Sequence, residues 1–318
     1  MRIRSLLIYL LLSPIFCFSE HKEAVTFGWG GRLGDNLLDY THAKWISYKW
    51  GIPLLFQTFE YSDQFVFDDL EEKLTPENEA LYSKKTLDSL SQLDNEVAAD
   101  TLYFLAHACD SYDEYIFNGS YGTFVPVDWN DEIFRNMMRA LIAPKHPLNL
   151  ITPPSNVISV ALHYRTGGGF VWDTDALKRA LPLRFPDTSY YINQLNKLYL
   201  LVRRESLYVH IFTDHPKPEE IRALFKHYFP YPNIKFECRV NGNRHDANVL
   251  EDLFSMMNFD CLIRPMSHYS ITASHLGNFK IEFFPTHGYW NDNKFVIDKV
   301  RLIEKGSWDP LKKKWILR

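Results

Sequence analysis

Arg165 and the glycines after it are the residues of this chain best suited to hold a diphosphate. They belong to a segment that follows the apolar run 157–162 and reads His163-Tyr164-Arg165-Thr166-Gly167-Gly168-Gly169. An arginine fork can bind two phosphate oxygens, and glycines let backbone N–H groups come close to them. The alternative interpretation is a surface arginine in a flexible turn, but the position directly after a buried strand favours binding.

Two further segments place polar groups at the ends of predicted elements. Thr213-Asp214-His215 follows the apolar run 207–212, and the Asp214 carboxylate can bind ribose hydroxyls or cap a helix. Ser267-His268-Tyr269-Ser270 precedes a helical segment, where hydroxyls and amides form an anion site or simply cap the helix. Ligands of open parallel sheets lie at the carboxyl ends of the strands, where these segments are predicted.

Alternating strands and helices must position these segments. The apolar pattern predicts strands at 24–29, 54–56, 157–162, 207–213, 234–237 and 261–263. Helical spacing and end signals predict helices at 37–48, 132–141, 190–204, 218–228, 248–258 and 270–276. Prolines make residues 144–156 the best candidate linker. The expected fold class is α/β, with mainly parallel sheets in one domain over 20–150 and another over 151–318.

A glycine-rich turn joins the first predicted strand to the first predicted helix. It reads Gly30-Gly31-Arg32-Leu33-Gly34-Asp35. Strand, glycine turn, helix and strand in this order open a doubly wound α/β domain. The spacing echoes a dinucleotide-binding fingerprint, but no acidic residue closes the predicted strand at 54–56. Nicotinamide binding is therefore disfavoured.

Composition narrows the classes of function. The chain has 318 residues, 46% of them hydrophobic and 23% charged, with a net charge of −4. The chain has no excess of basic residues, so its charge does not indicate a nucleic-acid partner. The histidines do not form the spaced pair of a zinc protease, and Asp173-Thr174-Asp175, which could hold a divalent cation, is more typical of a solvated loop. We therefore expect no bound metal.

The N-terminal segment predicts export. Arg2 and Arg4 precede an apolar run over 6–18, and small residues flank Phe18 before a polar stretch. This pattern is typical of a cleaved secretory signal peptide, here 1–19, and the alternative is an uncleaved membrane anchor. Three cysteines remain after cleavage, and an odd number does not indicate a disulfide framework, although one bridge stays open.

Taken in order, the segments resemble the GDP-fucose-dependent fucosyltransferase superfamily. That superfamily includes bacterial α-1,2-fucosyltransferases, nodulation α-1,6-fucosyltransferases and protein O-fucosyltransferases. The resemblance spans residues 25–290 and is carried by Gly31-Arg32-Leu33-Gly34-Asp35-Asn36, His163-Tyr164-Arg165, Phe212-Thr213-Asp214-His215, Asp252-Leu253-Phe254-Ser255-Met256-Met257 and Ser267-His268-Tyr269-Ser270. Each motif alone is common, so the ordered set carries the resemblance.

The resemblance implies a GT-B architecture, in which two Rossmann-like domains face each other across the active site. It implies inverting transfer of fucose from GDP-fucose, without a metal or other cofactor, to a hydroxyl of a glycan or glycoprotein. Arg165 and His163 would act on the diphosphate, and Asp35 is a candidate base beside Asp39, His42, Asp173 and Asp175. The implied nucleotide-sugar contacts are Gly31, Arg32, Gly34, Thr166, Gly167, Asp214, Asp246, Asp252, Ser267, Tyr269 and Ser270.

Two departures from the family pattern leave alternatives open. Gly167-Gly168-Gly169 stands where the family usually has Arg/Thr-x-Asp, and Ile271-Thr272 stands where it has a tryptophan pair. Both changes affect sugar and acceptor contacts more than the diphosphate. The alternatives are a non-catalytic nucleotide- or glycan-binding member of this fold and a transferase that uses another nucleotide sugar. An exported adhesive protein is disfavoured, because it does not need nucleotide-binding motifs.

Overall fold

The structure is a computed structural model, and it describes residues 23–28, 30–94, 100–109, 122–167, 174–241 and 246–317. The chain divides into two compact units between His146 and Pro147, inside the proline-rich segment 144–156. The predicted signal segment 1–19 lies outside the described residues. No helix within the described ranges is long and apolar enough to cross a membrane.

The first unit has a parallel sheet in the order β1-β3-β2. Its strands are β1 (Glu23–Phe27), β2 (Ser83–Thr86) and β3 (Thr101–Leu105). The central strand β3 pairs in parallel with both neighbours. Two short strands, β4 (Ala108–Cys109) and β5 (Thr123–Phe124), also pair in parallel.

The strand predicted at 54–56 is wrong as a full strand. Leu54 and Phe56 form only isolated bridges, to Val25 and to Lys73. The N–H of Leu55 donates to the carbonyl oxygen of Val25, but the N–H of Phe56 donates to the carbonyl oxygen of Glu72. No ladder continues because the chain leaves β1 after a single residue pair.

The longest helix of the first unit is α1 (Leu33–Trp50), and local signals define both of its ends. The carboxylate of Asp35 accepts the backbone N–H of Arg32 at 3.0 Å, which caps the N-terminus. Gly51 ends the helix in the left-handed conformation, φ 68°, and its N–H donates to the Ser47 carbonyl. The other helices described in this unit are α2 (Phe67–Leu70), α3 (Pro76–Glu79) and α4 (Glu132–Leu141).

The second unit has a larger sheet in the order β11-β10-β9-β6-β7-β8. Its strands are β6 (Ile158–Tyr164), β7 (Leu207–Thr213), β8 (Ile234–Cys238), β9 (Cys261–Ile263), β10 (Ile281–Asn291) and β11 (Lys294–Glu304). All pairings are parallel except that of β10 with β11. Every residue of β6 and β7 is buried, which explains their continuous apolar sequences.

The described part of the second unit contains five α-helices, and two of them begin at recognisable start signals. They are α5 (Thr174–Ala180), α6 (Thr188–Leu201), α7 (Pro218–Tyr228), α8 (Val249–Met256) and α9 (His268–Leu276). Asp187 caps α6 by accepting the N–H of Tyr190 at 3.3 Å. Pro218 begins α7, with Glu219 and Glu220 in its first turn. The α/β class with mainly parallel sheets is confirmed, and the facing of two domains stays a prediction.

Sequence reasoning missed the strands at the C-terminal end. The long hairpin β10–β11 is fully buried only over Ile281–Pro285, and the rest of both strands is half-buried or exposed. Beyond it, β12 (Gly306–Asp309) pairs with β13 (Lys314–Leu317). The outer part of the hairpin lacks the apolar alternation of a half-buried strand, so the short apolar run 281–284 was the only signal for it. No disulfide joins Cys109, Cys238 and Cys261, the cysteines of the described ranges.

Candidate functional site

Three neighbouring parallel strands bring the predicted binding segments to one edge of the second sheet. In space the order is β9-β6-β7, so the residues that follow these strands emerge side by side. They are Arg165–Gly167 after β6, Asp214 after β7 and the segment 264–267 after β9. This edge is where open parallel sheets bind their ligands. The sheet therefore assembles a site from segments about 50 to 100 residues apart in sequence.

Arg165 is fixed at the N-terminus of a helix. Its Nη1 donates to Oγ of Ser267 at 2.5 Å, and Ser267 is the fully buried residue that precedes α9. The guanidinium also lies over the ring of Phe185, 5.1 Å from the ring centroid. The first N–H groups of a helix have no carbonyl partner inside that helix. A cation and these amides together form a site suited to an anion.

Asp214 holds the loop that carries Arg165. Its Oδ1 accepts the backbone N–H of Thr166 at 2.6 Å and the hydroxyl of the same residue at 2.8 Å. Its Oδ2 accepts the backbone N–H of Gly167 at 3.0 Å. Both carboxylate oxygens therefore bind the 165–167 loop, and Asp214 acts here as a positioning residue. Its predicted contact with a ribose stays a prediction.

His163, near the end of β6, is buried in its neutral form. The side chain is 7% exposed, and its Nδ1 has no hydrogen-bond partner among the described residues. Burial, followed by the charge of Arg165, lowers the pKa of His163 to about 3, although Asp214 acts in the opposite direction. The imidazole is thus uncharged near neutral pH. Its ring contacts that of Tyr269, with 5.7 Å between the centroids.

The hydroxyls of Tyr269 and Ser270 turn inward. Tyr269 Oη donates to the carbonyl oxygen of Val249 at 2.5 Å, and Ser270 Oγ donates to that of Ser267 at 3.1 Å. Burial, with the charge of Asp252, raises the pKa of Tyr269 well above its usual value. These side chains brace the start of α9. Its backbone amides are then the groups left to meet a phosphate.

Asp252 pairs with Arg239 rather than with Arg165, and Asp246 is exposed. Asp252 Oδ1 accepts from Nε of Arg239 at 2.6 Å, and burial raises the pKa of Asp252 to about 6 against the opposing effect of that arginine. Arg239 also donates to the carbonyl oxygen of Asn149 at 3.0 Å. Asp246 is exposed and follows residues 242–245, which lie outside the described part. Asp252 therefore joins α8 to the segment after β8.

The predicted residues of the first unit form a compact turn. Gly30 and Gly31 have φ of 103° and 90°, and a Cβ at Gly31 would lie 2.8 Å from Oδ2 of Asp35. Arg32 precedes α1 and is half-buried, and Gly34 is buried in the first helical turn. The turn thus brings Gly31, Arg32, Gly34 and Asp35 together through local contacts.

The other candidate bases are buried, exposed on another helix or outside the described residues. Asp39 is fully buried, and its Oδ1 accepts the N–H of Ala108 at 3.2 Å and lies 3.5 Å from Nδ1 of His107. His42, on the same helix, is also buried. Asp175 is exposed on α5, and Asp173 lies outside the described residues. No cluster of His, Cys, Asp and Glu in the described ranges could hold a metal ion.

An ion pair next to the site was missed by sequence reasoning. Arg264 directly follows β9 and donates from Nε to Oε1 of Glu282 at 2.6 Å, with both side chains at least 95% buried. Ser274 Oγ lies 2.7 Å from each oxygen of Glu282, and the Arg264 guanidinium lies 4.1 Å from the ring of Phe284. The available signal was a lone glutamate inside the apolar run 281–284.

Known proteins resemble this chain in fold but not closely in sequence. No protein-family model matches the chain, and no curated protein matches it by sequence. The fucosyltransferase NodZ from Bradyrhizobium superposes with a TM-score of 0.51 at 12% identity, covering 90% of this chain and 99% of that one. A point mutant of Arabidopsis thaliana FUT1 in complex with GDP superposes with a TM-score of 0.53 at 12% identity, covering 89% and 74%. At this identity the resemblance to fucosyltransferases is confirmed for the fold.

Proposed function

We propose that this protein is a glycosyltransferase that transfers fucose from GDP-fucose, with inversion, to a hydroxyl of a glycan or glycoprotein. The observation that carries the proposal is Arg165, held by Ser267 at the N-terminus of α9 and at the carboxyl edge of a parallel sheet. The fold shared with fucosyltransferase structures supports it.

In this proposal the diphosphate of the donor lies against the 165–167 loop and the start of α9. Arg165 supplies the charge, and the backbone amides of α9 supply donors that need not reorganise. Asp214 acts by fixing the backbone of Gly167 close to the ligand. Neutral His163 packs behind this loop without adding a charge.

The proposed chemistry needs stabilisation of the leaving group more than a strong base. The bond from the anomeric carbon to the β-phosphate oxygen breaks as the acceptor oxygen bonds to that carbon, and GDP leaves with added negative charge. A well-placed donor such as Arg165 contributes about 3–4 kcal/mol to such a transition state. Asp35 is our proposed acceptor for the hydroxyl proton. Neither a metal nor another cofactor takes part in this scheme. We also propose that residues 1–19 direct export of the protein.

A thermal-shift titration of the purified protein tests the donor. GDP, GDP-fucose, GDP-mannose, UDP and NAD are compared, each with and without EDTA. A ligand that binds only the folded state raises the melting midpoint by mass action. We expect both GDP and GDP-fucose to raise the melting midpoint, and we expect EDTA to leave each of these shifts unchanged. A flat response to the guanine nucleotides, beside a rise with UDP or NAD, would remove the donor assignment.

A second candidate is a nucleotide-binding protein of this fold that transfers nothing. The glycine at 167, in place of the family's side chains after the arginine, favours this alternative because glycine offers no group to a sugar. Release of GDP from GDP-fucose, measured with and without an acceptor mixture, separates the two, because transfer and hydrolysis both free GDP. Nucleotide binding without any release of GDP from GDP-fucose would favour the second candidate.

A further inference from the structure

A cavity in the second unit is not used by the proposed donor site. Its volume is about 420 Å³, and its walls come from α5, the segment 182–187, the first half of α6 and the β10–β11 hairpin. Small-molecule sites in proteins measure about 300–1,000 Å³. The cavity is therefore large enough for a small ligand and lies entirely within one compact unit.

The hairpin gives this cavity an aromatic wall. Trp290 and Phe295 face each other across β10 and β11, with ring centroids 5.3 Å apart. Trp290 is 45% exposed although it lines the cavity. An exposed indole on a concave wall offers a flat apolar face beside a polar N–H group. The C–H faces of sugar rings stack on such surfaces.

Helix α6 contributes an unsatisfied acceptor to the lining of the cavity. Gln194 is 3% exposed, and its Nε2 donates to the carbonyl oxygen of Tyr190 at 3.4 Å. Its Oε1 is buried and has no hydrogen-bond partner among the described residues. Burying such an oxygen unpaired is unfavourable, so a ligand that donates a hydrogen bond would be favoured once the Gln194 side chain turns this oxygen toward the cavity. Sugar hydroxyls are donors of this kind, and Ser189 and Asn193 line the same wall.

One residue connects this cavity with the proposed donor site. Phe185 lines the cavity and also carries the guanidinium of Arg165 on its ring. A sugar in the cavity would therefore lie near the residue that we propose binds the diphosphate. That placement suits the sugar chain that receives the transferred group.

We propose that this cavity binds one or two sugar residues of the acceptor glycan, by stacking on Trp290 and by hydroxyl donation to Gln194. Saccharide binding itself does not depend on the donor assignment. The statement that the sugar belongs to the acceptor rests on the proposed function.

Saturation-transfer NMR on the full chain tests saccharide binding. The probes are cellotriose, N-acetylated chitotriose and trigalacturonic acid, which are neutral, N-acetylated and acidic trisaccharides. We expect at least one to bind, and Trp290→Ala and the volume-conserving Gln194→Met each to weaken its affinity at least tenfold. The matched control is Tyr289→Ala, since this neighbour is 50% exposed but does not line the cavity.

Two results would overturn saccharide binding: no trisaccharide binds, or the affinity is the same in Trp290→Ala and in the wild type. Thermal melting of each variant verifies folding, and Gln194→Met keeps the test valid if Trp290→Ala does not fold. The GDP thermal shift is measured on the same samples. Saccharide binding without a GDP shift would support the cavity assignment and refute the donor assignment. A GDP shift without saccharide binding would refute the cavity assignment and support the donor assignment.

Transfer kinetics test the acceptor role separately. With an acceptor that carries the bound trisaccharide, Trp290→Ala should raise the acceptor KM at least tenfold and leave the KM for GDP-fucose unchanged. An unchanged acceptor KM would overturn the acceptor role.

Discussion

Two glycine-containing turns follow parallel strands in this molecule, and they are stabilised in opposite ways. The turn after β1 is closed by Asp35, which accepts the N–H of Arg32 only three residues away. The loop after β6 is held by Asp214 and Ser267, which lie 48 and 102 residues from their partners, Thr166 and Arg165. The first turn is a local helix cap, whereas the second requires the whole sheet to be formed. The following predictions test this difference.

Arg165→Ala should give the largest effect. We expect transfer to fall at least about 100-fold, because the charge that we propose stabilises the leaving diphosphate is lost. The melting midpoint should stay close to that of the wild type, since Ser267 is neutral and Arg165 is only half-buried. The measurement is kcat with GDP-fucose. Arg222→Ala, at a partly exposed arginine of α7, is the control, and near-wild-type turnover of Arg165→Ala would refute the assignment.

Asp214→Ala should give the next largest effect, because it removes the anchor without touching Arg165. We expect the Kd for GDP to rise about tenfold, which corresponds to about 1.4 kcal/mol. Asp214→Asn keeps one carbonyl oxygen for Thr166 and should lose less affinity. The measurement is isothermal titration calorimetry with GDP. Equal affinity in the wild type and the alanine variant would mean that the loop forms without its distant partner.

His163→Gln should change the pH dependence of stability. The pKa of His163 is lowered to about 3 in the folded chain, from about 6.5 when unfolded. Below pH 6.5 the unfolded chain binds a proton that the folded chain does not, so stability falls as the pH falls. Replacing His163 should remove up to about 1.4 kcal/mol per pH unit of that slope between pH 6.5 and 4.

Urea unfolding at several pH values measures this slope. His227→Gln is the control, because His227 is exposed on α7. A variant at position 163 that kept the wild-type slope would contradict burial of a neutral imidazole.

Gly51→Ala should give the smallest effect, confined to the local end of α1. Gly51 has φ of 68°, and a Cβ there meets nothing within 4 Å, so the cost is backbone strain alone. We expect a loss of about 1 kcal/mol in unfolding free energy, and a smaller loss for Gly51→Asn. Urea unfolding gives the value. The GDP thermal shift should be unchanged, and its loss would show that the two units do not respond separately.

Elements with a continuous apolar run or a clear cap were predicted well. The strands 207–213 and 261–263 and the helices 132–141 and 218–228 agree with the structure to the residue. Burial on both faces requires an apolar residue at every strand position, and that requirement is visible in sequence. The outer part of the β10–β11 hairpin has no such requirement, and the hairpin was missed.

The candidate site was predicted in part for a related reason. Arg165, Thr166, Gly167, Asp214 and Ser267 were expected at strand or helix ends, and the structure brings them together. The roles differ, since Asp214 supports the loop and Tyr269 and Ser270 bond inward. Arg264–Glu282 and Phe185 were missed, because nothing near them in sequence identifies their partners.

By itself the sequence determined the buried strands and capped helices that alternate in the second unit and the segments with binding chemistry. These features depend on neighbours within a few residues and on one-dimensional apolar patterns. Only the tertiary structure decided which segments meet. The order β9-β6-β7 places Ser267 and Asp214 beside the Arg165 loop, and the hairpin places Trp290 at the cavity that Gln194 lines. Such pairings arise from packing between distant residues, and no short-range pattern encodes them.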